Sequence, residues 1–211
     1  MTWLTPSSVL LMGGALVVPQ AATGYQACAP MLPGPLPSNR VLYWDAEGVE
    51  STLSGLIGAS QVIVVGRLDS VVCRVDTPFA PTIDAPMVLS KFTVVVESAL
   101  RGSAPGARLS MIFHGIGRVV VAEGRSIQAE IGDFESLKVG DRVLLFLKPD
   151  AVDRDAFAIS GMRQGIFRVM DGGTIRSPWR GIVRNPASVH AKLDGKKAAD
   201  VLAEVARIIG R

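Results

Sequence analysis

Hydrophobic positions in this chain fall into short runs separated by glycine and proline, and only two stretches carry a helical period. Leu53, Leu56 and Ile57 sit at i, i+3 and i+4, which predicts a short helix over 51–59. The run 61–72, QVIVVGRLDSVV, is dense in β-branched residues and apolar on both alternations, so it predicts a strand buried on both sides. Gly66 interrupts it, as a bulge or sharp bend would. Over 88–100, Phe92, Val94 and Val96 share one face of a second strand. Glycine-rich turns then separate strands at 108–113, 118–122 and 126–131. RVLLFLK at 142–148 is another two-sided strand, and 157–159, 165–170 and 174–176 complete the β set. Asp171-Gly172-Gly173 between the last two is a hairpin signal. The segment 77–86 holds three prolines and reads as a loop. At 196–209, Val201, Leu202, Val205, Ile208 and Ile209 form one apolar face, Asp194-Gly195 precedes it and Gly210 ends it, which predicts a helix packed on the β domain. Many short strands with glycine turns and no βαβ alternation mean a mainly β sandwich or barrel.

The N-terminal region differs from the rest. Residues 9–18, VLLMGGALVV, have the length of a signal-peptide core and are short for a membrane span. Ala22-Thr23-Gly24 offers small residues for cleavage, although 1–8 contain no Lys or Arg. A cleaved signal, an uncleaved anchor and an apolar tail all fit, and export by a cleaved signal fits best. Four prolines in 29–37 make an extended linker. The expected organisation is 1–24 signal peptide or anchor, 25–50 proline-rich tether, 51–178 β-barrel domain and 179–211 C-terminal extension with its helix. In an oxidising compartment Cys28 and Cys73 are a natural pair, closing a loop worth about 4 kcal/mol by chain entropy. The alternative is two unrelated thiols, with Cys73 buried in a strand. Tyr25-Gln26-Ala27-Cys28 departs from a lipid-attachment motif at Tyr25.

Composition narrows the chemistry. Hydrophobic residues at 48% are enough for a packed core and exclude a wholly disordered chain. Two cysteines and two histidines exclude a disulfide scaffold, a thiolate zinc site and most histidine-rich metal sites. The chain contains no phosphate-cradling Gly-x-x-x-x-Gly-Lys-Ser/Thr, no His-Glu-x-x-His and no Cys-x-x-Cys. His114-Gly115-Ile116-Gly117 is not accompanied by a Gly-x-Ser-x-Gly nucleophile turn, so His114 reads as a strand-end residue. Asp150, Asp153 and Asp155 lack the glycine and distal glutamate of a calcium loop and read as a solvated turn. No catalytic residue, cofactor or metal is therefore expected.

Charge is uneven. The first charged side chain is Arg40, and across 161–192 six basic residues face only Asp171. Arg163, Arg168, Arg176, Trp179, Arg180 and Arg184 form a candidate anionic-ligand patch, because the hairpin at 171–173 brings Arg168 and Arg176 together. A merely solvated basic surface is the competing reading.

Three segments carry a resemblance: Ala59 to Arg67, Phe92 to Gly102 ending in Ala-Leu-Arg-Gly, and LKVGDRVLLFL at 137–147, followed by QGIFRV at 164–169. Together they resemble exported bacterial proteins whose domain is similar to the tissue inhibitors of metalloproteinases. The resemblance implies a netrin-like, OB-like Greek-key barrel, with a short helix before the first strand and a C-terminal helix. In those inhibitors a Cys-x-Cys grips the protease zinc. The matching place here reads Cys28-Ala29-Pro30, without the second cysteine, so the resemblance leaves inhibitory activity open. The expected function is a non-enzymatic, extracytoplasmic bacterial barrel that binds a protein or an anionic envelope component. Membrane contact would run through the N-terminal segment. A nucleic-acid or oligosaccharide-binding OB domain is the alternative.

Overall fold

The computed structural model describes residues 24–30, 52–76, 87–114, 117–120, 126–129, 134–151, 153–161, 164–180 and 186–210. The signal-like segment, most of the tether, the loop at 77–86 and the turn at 123–124 lie outside the described residues. The chain is mainly β and folds as a closed five-stranded barrel with additional strands. The elements are β1 (Gln26–Ala27), α1 (Leu53–Gly58), β2 (Val62–Asp76), β3 (Met87–Arg101), β4 (Arg108–His114), β5 (Gly117–Val120), β6 (Ser126–Ala129), β7 (Arg142–Pro149), β8 (Phe157–Ile159), β9 (Ile166–Val169), β10 (Ile175–Arg176), α2 (Val189–Leu193) and α3 (Ala198–Ile209). Barrel neighbours run β2-β3-β4-β8-β7 and back to β2. All contacts in the ring are antiparallel except β4 with β8, which is parallel. This is an OB-like barrel. Its closure removes the two open edges that a flat sheet would expose.

The two-sided strands have a direct cause. Val62 and Val64 of β2 and Val143, Leu145 and Leu147 of β7 point into the barrel, beside Phe92, Val94, Val96, Met111 and Ile166. Ile63, Val65, Leu144 and Phe146 point outward into a second core, shared with Leu56 and Ile57 of α1, Val189 and Leu193 of α2, and Val201 and Val205 of α3. Successive side chains of a strand alternate faces, so an unbroken apolar run is what a wall between two cores requires. Burying each such side chain stabilises the fold by about 1.5–3 kcal/mol. The 61–72 strand extends to Asp76 but is buried on both sides only over 62–66, since Arg67, Asp69 and Ser70 lie beyond the helical layer and are exposed; its glycine acts as expected. The β2–β3 register shifts between Val65 and Gly66. A Cβ on Gly66 would lie 2.7 Å from the Val95 carbonyl oxygen, so only glycine lets the two backbones approach so closely.

The helices are fixed by local chemistry. Thr52 caps α1 by accepting from the Gly55 N–H at 3.1 Å, and Arg101 at the end of β3 donates to the carbonyls of Ile57 and Ser60, at the helix end and just past it, at 2.8 and 3.1 Å. The C-terminal helix packs on the barrel as expected, starting at Ala198. Its approach also seals the last strand edge, since Ile175 N–H donates to Lys196 O and Gly195 N–H to Ile175 O. Two elements go beyond the sequence reading. Residues 26–27 of the tether pair with Val72 and Cys73 as β1. A five-residue helix, α2, is capped by the Ser188 hydroxyl, which accepts from Ala191 N–H at 3.1 Å.

Gly165 offers a test of the packing. A Cβ there would meet Phe146 O at 2.5 Å and Ser160 O at 2.8 Å, whereas one on Gly172 meets nothing within 4 Å. Gly165→Ala is expected to destabilise the protein by about 1–3 kcal/mol and Gly172→Ala by under about 0.5 kcal/mol. Urea midpoints measure both, and equal shifts would contradict the close approach at β7–β9.

Candidate functional site

The candidate patch of the sequence divides when it is folded. Arg163 and Arg184 lie outside the described residues. Arg168 and Arg176 are directly opposite each other on the β9–β10 hairpin, as the hairpin signal implied. Neither is left facing solvent alone. The Arg168 side chain is only 12% exposed and pairs with Glu135 Oε1 at 2.7 Å and Asp141 Oδ2 at 3.3 Å. Its Nη2 also donates to the carbonyls of Glu135 and Ser136. Glu135 Oε2 lies 3.6 Å from Arg176. The guanidinium of Arg168 thus ties the 135–141 segment to the barrel wall, as a planar five-donor fork can and an ammonium cannot. Trp179 is 1% exposed and plugs the barrel, with ring centroids 4.3 Å from Phe134 and 6.3 Å from Phe113. It offers no face to a ligand. Arg180 is exposed.

A buried polar knot lies nearby. Ser177 Oγ is 2.9 Å from His190 Nδ1 and accepts from Trp179 N–H at 3.0 Å, while Asp194 Oδ1 accepts from Ser177 N–H at 2.7 Å. The three side-chain types are those of a hydrolase triad, but the order of bonds is different. The carboxylate holds a backbone N–H rather than the imidazole, and both Ser177 and His190 are buried. The knot fastens α2 to the end of β10.

Around β1, the expected cysteine pair is formed. Cys28 and Cys73 are joined across 45 positions, and both cysteines of the chain are used. The Tyr25 ring lies over Arg74, 4.9 Å from Cζ, and Lys91, 5.3 Å from Nζ. Lys91 pairs with Asp153 at 2.8 Å, and that hydrogen bond holds the Asp153 carboxyl below its ordinary range. Asp150 Oδ1 and Asp153 Oδ1 accept from the backbone N–H groups of Asp153 and Asp155. These carboxylates therefore organise a turn, as expected for 150–155. No protein-family model matches the chain, and no curated protein matches it.

A different basic constellation appears on the outer wall, which no contiguous stretch of sequence announces. In cross-strand register, Arg142 of β7 is opposite Arg67 of β2, Arg67 opposite Val95 of β3, and Val95 opposite Arg108 of β4. The three arginines are 42%, 56% and 60% exposed. Like charges placed opposite one another on a sheet repel. Here Glu97 offsets the cost by pairing with both Arg67 and Arg142, and Asp69 pairs with Arg108. Arg67 also donates from Nη1 to Gly140 O at 2.9 Å. Next to this row lies a second one, Ser70 opposite Thr93 and Thr93 opposite Ser110.

Two outcomes follow. Arg168→Ala leaves Asp141 and two carbonyls without their cation and Glu135 with Arg176 alone, and is expected to cost about 3 kcal/mol, whereas Arg176→Ala should cost under about 0.5 kcal/mol. Chemical denaturation of both variants decides it; equal effects would contradict the latch. Burial raises the Tyr25 pKa, with Arg74 and Lys91 opposing, and its hydroxyl is buried without a hydrogen-bond partner among the described residues. A group raised in the folded state stabilises below its unfolded pKa of about 10, and that contribution is lost as pH climbs through the folded value. Alkaline titration should therefore loosen the wild type more than Tyr25→Phe, and identical pH profiles would show that Tyr25 is not coupled to folding.

Proposed function

We propose that this chain is an exported, non-enzymatic OB-type barrel of the netrin-like kind, a binding module for the extracytoplasmic space. The Cys28–Cys73 bond carries the reading. It consumes both cysteines and fastens the start of the tether to β2, one of the two longest barrel strands, a use of cysteine that suits an oxidising compartment. The apolar run at 9–18 and the small residues at 22–24 support the same compartment. The OB-like topology supports the kind of domain.

The binding role rests on how the barrel wall is used. Helices α1, α2 and α3 cover the outer side of β7, β9 and the first part of β2. The outer side of β3 and β4 bears polar and half-exposed residues, Thr93, Val95, Arg108 and Ser110. A barrel wall of this kind is where OB folds meet extended ligands. We assign the binding role to this wall and to its envelope-side partner.

Two measurements test the compartment. A C-terminally tagged chain expressed in a bacterial host is expected outside the cytoplasm and shortened at its N-terminus. A thiol assay on the denatured, unreduced protein is expected to find no free thiol. A full-length cytosolic product with two free thiols would overturn the export reading.

A further inference from the structure

We infer that the open wall of the barrel binds an extended polyol-phosphate chain, with the phosphates on the Arg142–Arg67–Arg108 row and the polyol hydroxyls on the Ser70–Thr93–Ser110 row. The inference deepens the binding role given above and rests on it. The rows are the observation that carries it. Neighbouring strands are about 4.8 Å apart, so Arg142 and Arg67 are adjacent and Arg108 follows two strands on, while the hydroxyl row runs alongside at about 7 Å. An anionic chain lying across the strands would meet guanidinium groups on one side and hydroxyls on the other. Guanidinium forks match phosphate oxygens bidentately.

The same rows disfavour single-stranded nucleic acid. Neither contains an aromatic residue, so neither offers the stacking platform on which single-stranded nucleic acid depends. The Tyr25 ring is engaged by Arg74 and Lys91. Glu97 is the internal competitor. Its two oxygens lie against Arg67 and Arg142, so one carboxylate already fills the anion-sized gap that a ligand phosphate would take. Binding is thereby weak and exchangeable in the wild type, and neutralising Glu97 opens the site. Asp69 restrains Arg108 in the same way.

The test uses the oxidised full chain and a soluble poly(glycerol phosphate) probe, so it does not depend on whether the protein is exported. Binding is expected at low salt and should weaken roughly tenfold between about 50 and about 200 mM salt. Arg67→Ala and Arg108→Ala should each weaken it about threefold, and Thr93→Val with Ser110→Ala should weaken it with charge unchanged. Glu97→Gln should tighten it by a similar factor, a gain that misfolding cannot produce. Arg176→Ala removes the same charge outside the rows and should leave binding as it was. Absence of wild-type binding at low salt would overturn the inference, and so would equal losses from Arg176→Ala and Arg108→Ala. A single-stranded oligothymidylate of equal phosphate number binding as tightly would overturn the ligand class.

Discussion

The first part of strand β2, residues 62–66, is hydrogen-bonded along both edges and buried on both faces, and the remaining layers take their places from it. The strand's first six residues pair with β7 while its whole length pairs with β3, and this double engagement converts a sheet into a barrel. The price is an unbroken apolar run that would be an aggregation hazard on an open edge; closure and the helical layer hide it. Gly66 permits the close approach of β3, and simple alternation through 62–68 keeps Arg67 outward and Leu68 inward; the irregularity between Leu68 and Ser70 then lets both Asp69 and Ser70 lie exposed. Strand β2 therefore sets both the core and one member of the arginine row.

Two kinds of arginine follow from this arrangement. Arg168 is held in a largely buried cluster of carboxylates and carbonyls, where it fastens the 135–141 segment across the barrel mouth beneath which Trp179, Phe134 and Phe113 pack. Arg67, Arg108 and Arg142 sit on the exposed wall and are only partly neutralised. The first kind contributes to folding because it is mostly buried with its partners; the second contributes little to folding because exposed pairs are screened. Basic residues of the second kind are available for recognition, while the local density of Arg and Lys along 161–192 belongs partly to the first.

Strand positions were legible because their periods are local. The apolar runs announce a wall between two cores, which holds over 62–66 and 143–147 while the polar ends of both runs are exposed, and Asp171-Gly172-Gly173 announces the β9–β10 hairpin. The α2 helix had a signal too, Ser188 before an i, i+4 pair of Val189 and Leu193, but five residues give no sustained period. What depends on register was not legible. Trp179, between Pro178 and Arg180, looks like a surface residue until Phe113 and Phe134 close over it. Arg67, Arg108 and Arg142 are far apart in the chain and become one row only when β7, β2, β3 and β4 are aligned. Glu135 and Asp141 similarly reach Arg168 from a different segment, so a charge run counted along the chain does not report the charge that a ligand would meet.

The closed barrel is the claim on which the rest stands, and native-state hydrogen exchange of the oxidised protein tests it directly. The amides that join β2 to β7, in 62–67 and 143–147, are expected to exchange only through global unfolding, with the same free energy as the β2–β3 amides. If the β2–β7 amides exchanged through local opening while β2–β3 stayed protected, the barrel would be an open sheet, and neither the two-core wall nor the aligned arginine row would exist in solution.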